Sequence, residues 1–197
     1  EICQVLRSHN FLHKGMKNIG LYLHIPFCKS KCPYCDFYSF SGRDGQKDEY
    51  TKVLNERILS SISPLQSKGE TLYIGGGTPS VLGAENLAIL VNTCKNGFLT
   101  DNAEITVECN PHGLNEDFFK VLHDCGVNRI SMGLQSAIDS ERRILGRLSD
   151  RQQVENAVKT AQRVGFDNIT LDVMLGIPQQ TEKSLQETLD FCTSLKV

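Results

Sequence analysis

At 197 residues the chain has room for one domain of ordinary size and not for two well-packed ones. Its apolar content of 40% and its net charge of −2, from 21 basic and 23 acidic side chains, exclude a disordered segment and a protein that grips nucleic acid by neutralising phosphates. The longest apolar run, Leu87 to Val91, is far short of the roughly 20 residues that span a bilayer, and the first ten residues hold no secretory core. A cytoplasmic protein without a transmembrane segment is expected.

Residues 1–16 show no clear period and are expected to be a leader or extension, with Met16 a candidate natural start and the domain running over 17–197. From there strand-like and helix-like stretches alternate. Gly20 to Ile25, Thr71 to Ile74, Glu104 to Cys109, Arg129 to Leu134 and Ile169 to Met174 are rich in Ile, Val, Leu and Tyr and read as strands. Asp48 to Ile62, Glu85 to Cys94, Glu116 to Cys125, Asp150 to Val164 and Glu182 to Leu195 space their apolar residues by three and four and read as amphipathic helices, with a short helical stretch at Ser140 to Leu145. Gly69, Gly97, Gly126 and Gly165 stand where left-handed C-caps are expected, and Ser149 with Gln152 resembles a capping box.

Strand then helix, five times over, implies parallel strands joined by crossover helices. The strands repeatedly carry polar or glycine features at their C-terminal ends, which favours a partial barrel whose loops surround one site over an open doubly wound sheet. A closed barrel would need more strands than these five.

Eight cysteines are present, and three of them form Cys28-Lys-Ser-Lys-Cys32-Pro-Tyr-Cys35 in the loop after the first of these strands. Thiolates this close repel unless they share a cation, so a soft metal centre is indicated, zinc or an iron–sulfur cluster. Structural zinc wants four ligands; no second cysteine pair exists, and His24 is the nearest spare one. A redox pair of Cys32 and Cys35 is the other alternative. Three cysteines on a 4Fe–4S cluster leave one iron open to a small molecule's amine and carboxylate.

Gly75-Gly76-Gly77-Thr78-Pro79 follows the second of these strands and lets backbone approach a ligand closely. Glu108 ends the third, Gln135 the fourth, and Asp172 lies within the fifth. A carboxylate inside an apolar strand is costly unless paired, so Glu108 and Asp172 read as ligand contacts from the barrel interior, with hydrogen-bonded core carboxylates the plainer alternative. Arg147 alone would pass as a solvated surface residue.

In order, Tyr22-Leu-His24-Ile-Pro26-Phe-Cys28, the cysteine cluster, the glycine run, Glu108-Cys-Asn-Pro111, Arg129-Ile-Ser-Met-Gly-Leu-Gln135-Ser, Leu145-Gly-Arg147 and Leu171-Asp172-Val-Met-Leu-Gly-Ile-Pro178 resemble the coproporphyrinogen oxidase-like branch of radical S-adenosylmethionine (SAM) proteins. The resemblance covers roughly Lys17 to the end. It implies an α/β partial (βα) barrel with five βα units here, followed in the family by a last strand and a C-terminal domain. It implies a 4Fe–4S cluster on Cys28, Cys32 and Cys35, a SAM molecule on its open iron, and an electron donor whose electron cleaves SAM to a 5′-deoxyadenosyl radical. Tyr22, Gly76 and Glu108 match positions that contact this SAM. Tyr34, Gly77, Thr78, Gln135, Arg147 and Asp172 match positions that contact a second SAM in the oxidase.

One departure ranks the functions within the branch. The oxidase pattern carries a fourth cysteine where this chain has Phe37. Cys35-Asp-Phe37 resembles instead the branch's heme chaperones, which bind heme and pass it to acceptor proteins. That function is expected; the alternative is an oxygen-independent coproporphyrinogen III oxidase that decarboxylates its substrate to protoporphyrinogen IX. Heme or porphyrin ligands are expected in the C-terminal part. His24, His112 and His123 are weak heme-ligand candidates, and His9 and His13 fall in the leader.

Overall fold

A computed structural model describes residues 3–7, 19–62 and 68–197. His9, His13 and Met16 lie outside the described residues. Six strands form one sheet in chain order: β1 (Cys3–Arg7), β2 (Ile19–Ile25), β3 (Gly69–Gly76), β4 (Leu99–Cys109), β5 (Arg129–Gln135) and β6 (Ile169–Val173). The five strands β2 to β6 are parallel and each is followed by a helix, which gives the five expected βα units. The helices are α1 (Lys47–Ile62), α2 (Ala84–Gly97), α3 (Glu116–Cys125), α4 (Asp139–Ile144), α5 (Arg151–Val164) and α6 (Glu182–Ser194).

The periods seen in the sequence explain which face goes where. Along β2, Ile19, Leu21, Leu23 and Ile25 are buried, while Tyr22 and His24 between them are only half-buried. Period-two alternation sends these two sets to opposite faces. The buried set meets the helices, whose stripes are equally regular: Phe118, Phe119, Leu122 and Cys125 on α3, and Val154, Ala157, Val158 and Ala161 on α5. Full burial of one Leu or Phe is worth roughly 1.5–3 kcal/mol, so the helix side supplies the core. The other face carries Tyr22, Tyr73, Thr106, Glu108, Ser131 and Asp172, and register brings Tyr22 beside Tyr73, Tyr73 beside Thr106, and Glu108 beside Ser131. One side of the sheet is apolar and packed; the other is polar.

Several expectations are corrected. Residues 3–7, read as part of a leader without a period, form β1, which pairs antiparallel with β2 from Cys3 beside Leu23 to Arg7 beside Ile19. Gly126 and Gly165 are left-handed caps, with φ of 100° and 118°, but Gly69 and Gly97 are not. These two are glycine because the chain is crowded: a Cβ on Gly97 would stand 2.5 Å from Ile62 Cδ1, and one on Gly69 2.2 Å from Phe98 Cε1. The capping box opening α5 is Asp150 with Gln153, not Ser149 with Gln152. Ser149 is buried instead, as an acceptor for Arg142. The last strand ends at Val173, one residue before Met174.

Candidate functional site

The C-terminal ends of β2 to β6 surround a cavity of about 760 Å³, within the range of small-molecule sites. Its first wall is the cysteine loop. Cys28 N–H donates to Phe40 O at 2.9 Å and Phe40 N–H to Pro26 O at 2.8 Å, which closes the loop at its base. Within it Cys35 N–H donates to Cys32 O at 3.0 Å, a turn that brings the second and third thiols to the same side as the cavity. Cys28, Cys32 and Cys35 are free and partly exposed, and all three line the cavity.

The glycine run forms the rim beside them. Gly77 N–H donates to Ile25 O at 2.8 Å, Thr78 N–H to Phe27 O at 2.7 Å, and Thr78 Oγ1 to Cys28 Sγ at 3.6 Å. A Cβ on Gly77 would lie 2.7 Å from Phe27 O and 3.1 Å from Cys28 Sγ; only a glycine lets the rim come this near the thiol. Gly76 has φ of 117°, and a Cβ there would strike the His24 ring.

The floor is acidic. Glu108 accepts from Tyr73 O–H at 2.7 Å and from Gly76 N–H at 3.1 Å. Burial pushes the Glu108 carboxyl up, and those two donors hold it back in part. Burial and Glu108 in turn raise the Tyr73 phenol. The far wall holds Gln135, Arg147 and Asp172. Gln135 ends β5 with φ of 68°, a left-handed conformation uncommon outside glycine. Arg147 Nη2 donates to Gly133 O at 2.8 Å, and its Nε is buried without a partner. Asp172 is exposed, and β6 presents it to the cavity. Partial burial raises it, against the pull of Arg129 and Arg147. Tyr34, from the cysteine loop, faces Arg147, and burial raises its phenol.

Of the twelve residues singled out in the sequence, all but Tyr22 line this cavity. Tyr22 stands behind it, its hydroxyl 3.1 Å from His24 Nδ1 and its ring stacked on Tyr73 at 6.2 Å. Sequence reasoning missed Tyr73 and His112. Tyr73 alternates with Gly75 on β3, and that alternation is the signal that places it on the polar face. His112 reads from the sequence only as a weak heme ligand, yet it lines the cavity against Lys29 of the cysteine loop.

The donor set favours a cluster over zinc. Among the described residues no three His, Cys, Asp or Glu groups converge on one ion. His24, the spare zinc ligand, is engaged with Tyr22 and with Tyr38 O at 2.8 Å. A cubane cluster places each cysteine on its own iron and needs no such convergence, and three thiols spread along one cavity wall suit it. The unpaired Arg147 Nε, the glycine rim and the hydrogen-bonded Glu108 give a polar organic molecule donors and acceptors on three sides.

The family model of the radical SAM superfamily matches residues 22–192, and the chain belongs to that superfamily, whose cofactors are a 4Fe–4S cluster and SAM. Its curated relatives include the heme chaperones HemW of Bacillus subtilis, 36% identical over 88% of this chain and 47% of the relative, and of Haemophilus influenzae, 38% identical over 87% and 46%. The chain thus spans about half the length of the curated relatives it matches. Among solved structures it resembles the coproporphyrinogen III oxidase HemN of Escherichia coli, with a TM-score of 0.80 at 30% identity over 88% of this chain and 41% of that one. A methylornithine synthase shares the fold alone, with a TM-score of 0.63 at 13% identity over 88% of this chain and 49% of that one.

Proposed function

We propose that this chain is the cluster- and SAM-binding part of a cytoplasmic heme chaperone. Cys28, Cys32 and Cys35 hold the 4Fe–4S cluster, with one iron left for SAM, and an electron donor serves it. When bound, the pair supplies one-electron chemistry to the sulfonium, with the protein providing binding and orientation. Gly76 and Glu108 hold the SAM on the iron, with Tyr22 behind them. Glu108 keeps lone pairs toward the cavity after accepting from Tyr73 and Gly76, and takes hydrogens from an amine or hydroxyl. On the far wall Gln135, Arg147 and Asp172, with Tyr34, Gly77 and Thr78, contact a second SAM or the tetrapyrrole. Val81, Leu114 and Phe118 give the lining an apolar stretch.

The observation that carries the chaperone over the oxidase is Phe37. It is 68% exposed on the cysteine loop and lines the cavity, at the place where the oxidase pattern has a cysteine. The HemW relatives point the same way. The test uses the full-length protein reconstituted with iron and sulfide without oxygen. With SAM, reductant and coproporphyrinogen III it is expected to form no protoporphyrinogen IX, and to bind hemin and deliver it to an apo-acceptor. Turnover to protoporphyrinogen IX would make it the oxidase. Changing Cys28, Cys32 and Cys35 to Ala is expected to reduce bound iron and acid-labile sulfide to background; wild-type iron content in that variant would remove the cluster assignment.

A further inference from the structure

Two side chains on the cavity wall take no part in that account. Lys29 follows Cys28, and its Nζ lies 3.1 Å from Nε2 of His112, in the loop after β4. An ammonium only donates, so in this bond Nε2 is the acceptor and the ring N–H is Nδ1. That Nδ1 is buried without a partner. The loop that carries the ring is held in place: the His112 backbone N–H donates to Asn110 Oδ1 at 3.2 Å, and the Asn110 backbone N–H to Ser80 Oγ at 3.1 Å. A histidine on a fixed loop therefore tethers an ammonium that otherwise would sweep through solvent.

The charge of Lys29 is not neutralised by this contact. No carboxylate of the described residues stands within ion-pair distance of it; Asp44, whose field it shares, is paired with Lys47 at 2.5 Å. Lys29 keeps two further N–H groups, and Lys29, Lys47 and His112 all border the cavity, with Leu114 and Phe118 beside them. A cationic edge against an apolar wall suits a ligand with a flat apolar body and a carboxylate at its margin.

We propose that Lys29, oriented by His112, is a carboxylate-holding site at the mouth of the cavity and takes a propionate of the tetrapyrrole. The inference rests on the heme-handling function above. SAM also carries a carboxylate; that of the SAM on the open iron is committed there, and a second SAM is the rival guest that the SAM titration below separates from the tetrapyrrole.

Hemin and hemin dimethyl ester, whose carboxylates are masked, separate the cases when titrated in the same detergent into the full-length protein. The wild type is expected to bind hemin about ten- to a hundredfold more tightly than the ester, the scale of one charge-assisted hydrogen bond. Lys29→Ala and His112→Ala are expected to lose that preference, and Lys29→Arg to keep it. Iron and sulfide are measured in each variant; if Lys29→Ala disturbs the neighbouring cluster, His112→Ala and Lys29→Arg decide. Equal affinity of the wild type for hemin and ester overturns the site, as does a preference that survives both alanine substitutions. A loss confined to SAM affinity overturns it too, and assigns the lysine to the other carboxylate. Failure of the wild type to bind hemin at all is a different result: it removes the heme-handling function and the site together.

Discussion

Glu108 shows what the cavity costs at the level of a single side chain. Its carboxyl sits half-buried at the end of β4, with Tyr73 O–H and Gly76 N–H as donors, and burial still raises it above the ordinary range. A raised carboxyl favours folding while it is protonated, so its contribution is full below the unfolded value and is lost as pH rises through the folded one. In the ligand-free chain the wild type is therefore expected to gain stability relative to Glu108→Gln as the pH falls from 7 to 5, measured by denaturant unfolding at each pH. A difference that does not vary with pH would show that Glu108 is not strained. The strain has a use: a desolvated carboxylate binds a cationic or hydroxyl-bearing ligand more strongly than a solvated one.

Among the elements, the short helix α4 and the loops on either side set the far wall. Arg142 on α4 is 1% exposed and lacks a carboxylate contact among the described residues; it donates instead to the carbonyls of Leu134, Ser136 and Ser149 and to Ser149 Oγ. Those carbonyls flank Gln135 on one side and lie two residues past Arg147 on the other, so one guanidinium joins the two loops that carry cavity residues. Arg142→Ala strands three buried carbonyls and is expected to destabilise the chain by about 3 kcal/mol, roughly 6–12 °C in Tm for a domain of this size. A shift under 2 °C would mean that the loops hold without it. None of this was legible in the sequence, where an arginine in a short charged helix reads as solvent-facing. The helices α1, α2, α3, α5 and α6 and the strands β2 to β6 were legible, because each has a periodic stripe or an apolar run. The strand β1 was not: its five residues show no alternation, and pairing with β2 makes it a strand. The cavity's members were legible as motifs at strand ends, whereas Tyr73 and the Lys29–His112 contact needed the strands in register and the loops folded.

For the whole molecule, the sheet orders stability across its width. β3 and β4 lie at the centre of the sheet, paired on both sides and with α2 packed against β4, while β6 is paired only with β5 among the described strands. Hydrogen exchange is expected to be slowest in β3 and β4 and faster in β6, with protection in the centre approaching that of global unfolding. Uniform protection across the five parallel strands would contradict this. The two-sidedness of the sheet reaches further. Residues that meet the helices hold the fold, and those that meet the cavity hold the guests; because strand side chains alternate, the two sets are different positions in the chain. A lineage can exchange every second residue of its strands and acquire new chemistry while its folding determinants stay where they are. Such a division of labour lets the frame be inherited on one face while the other is free for invention.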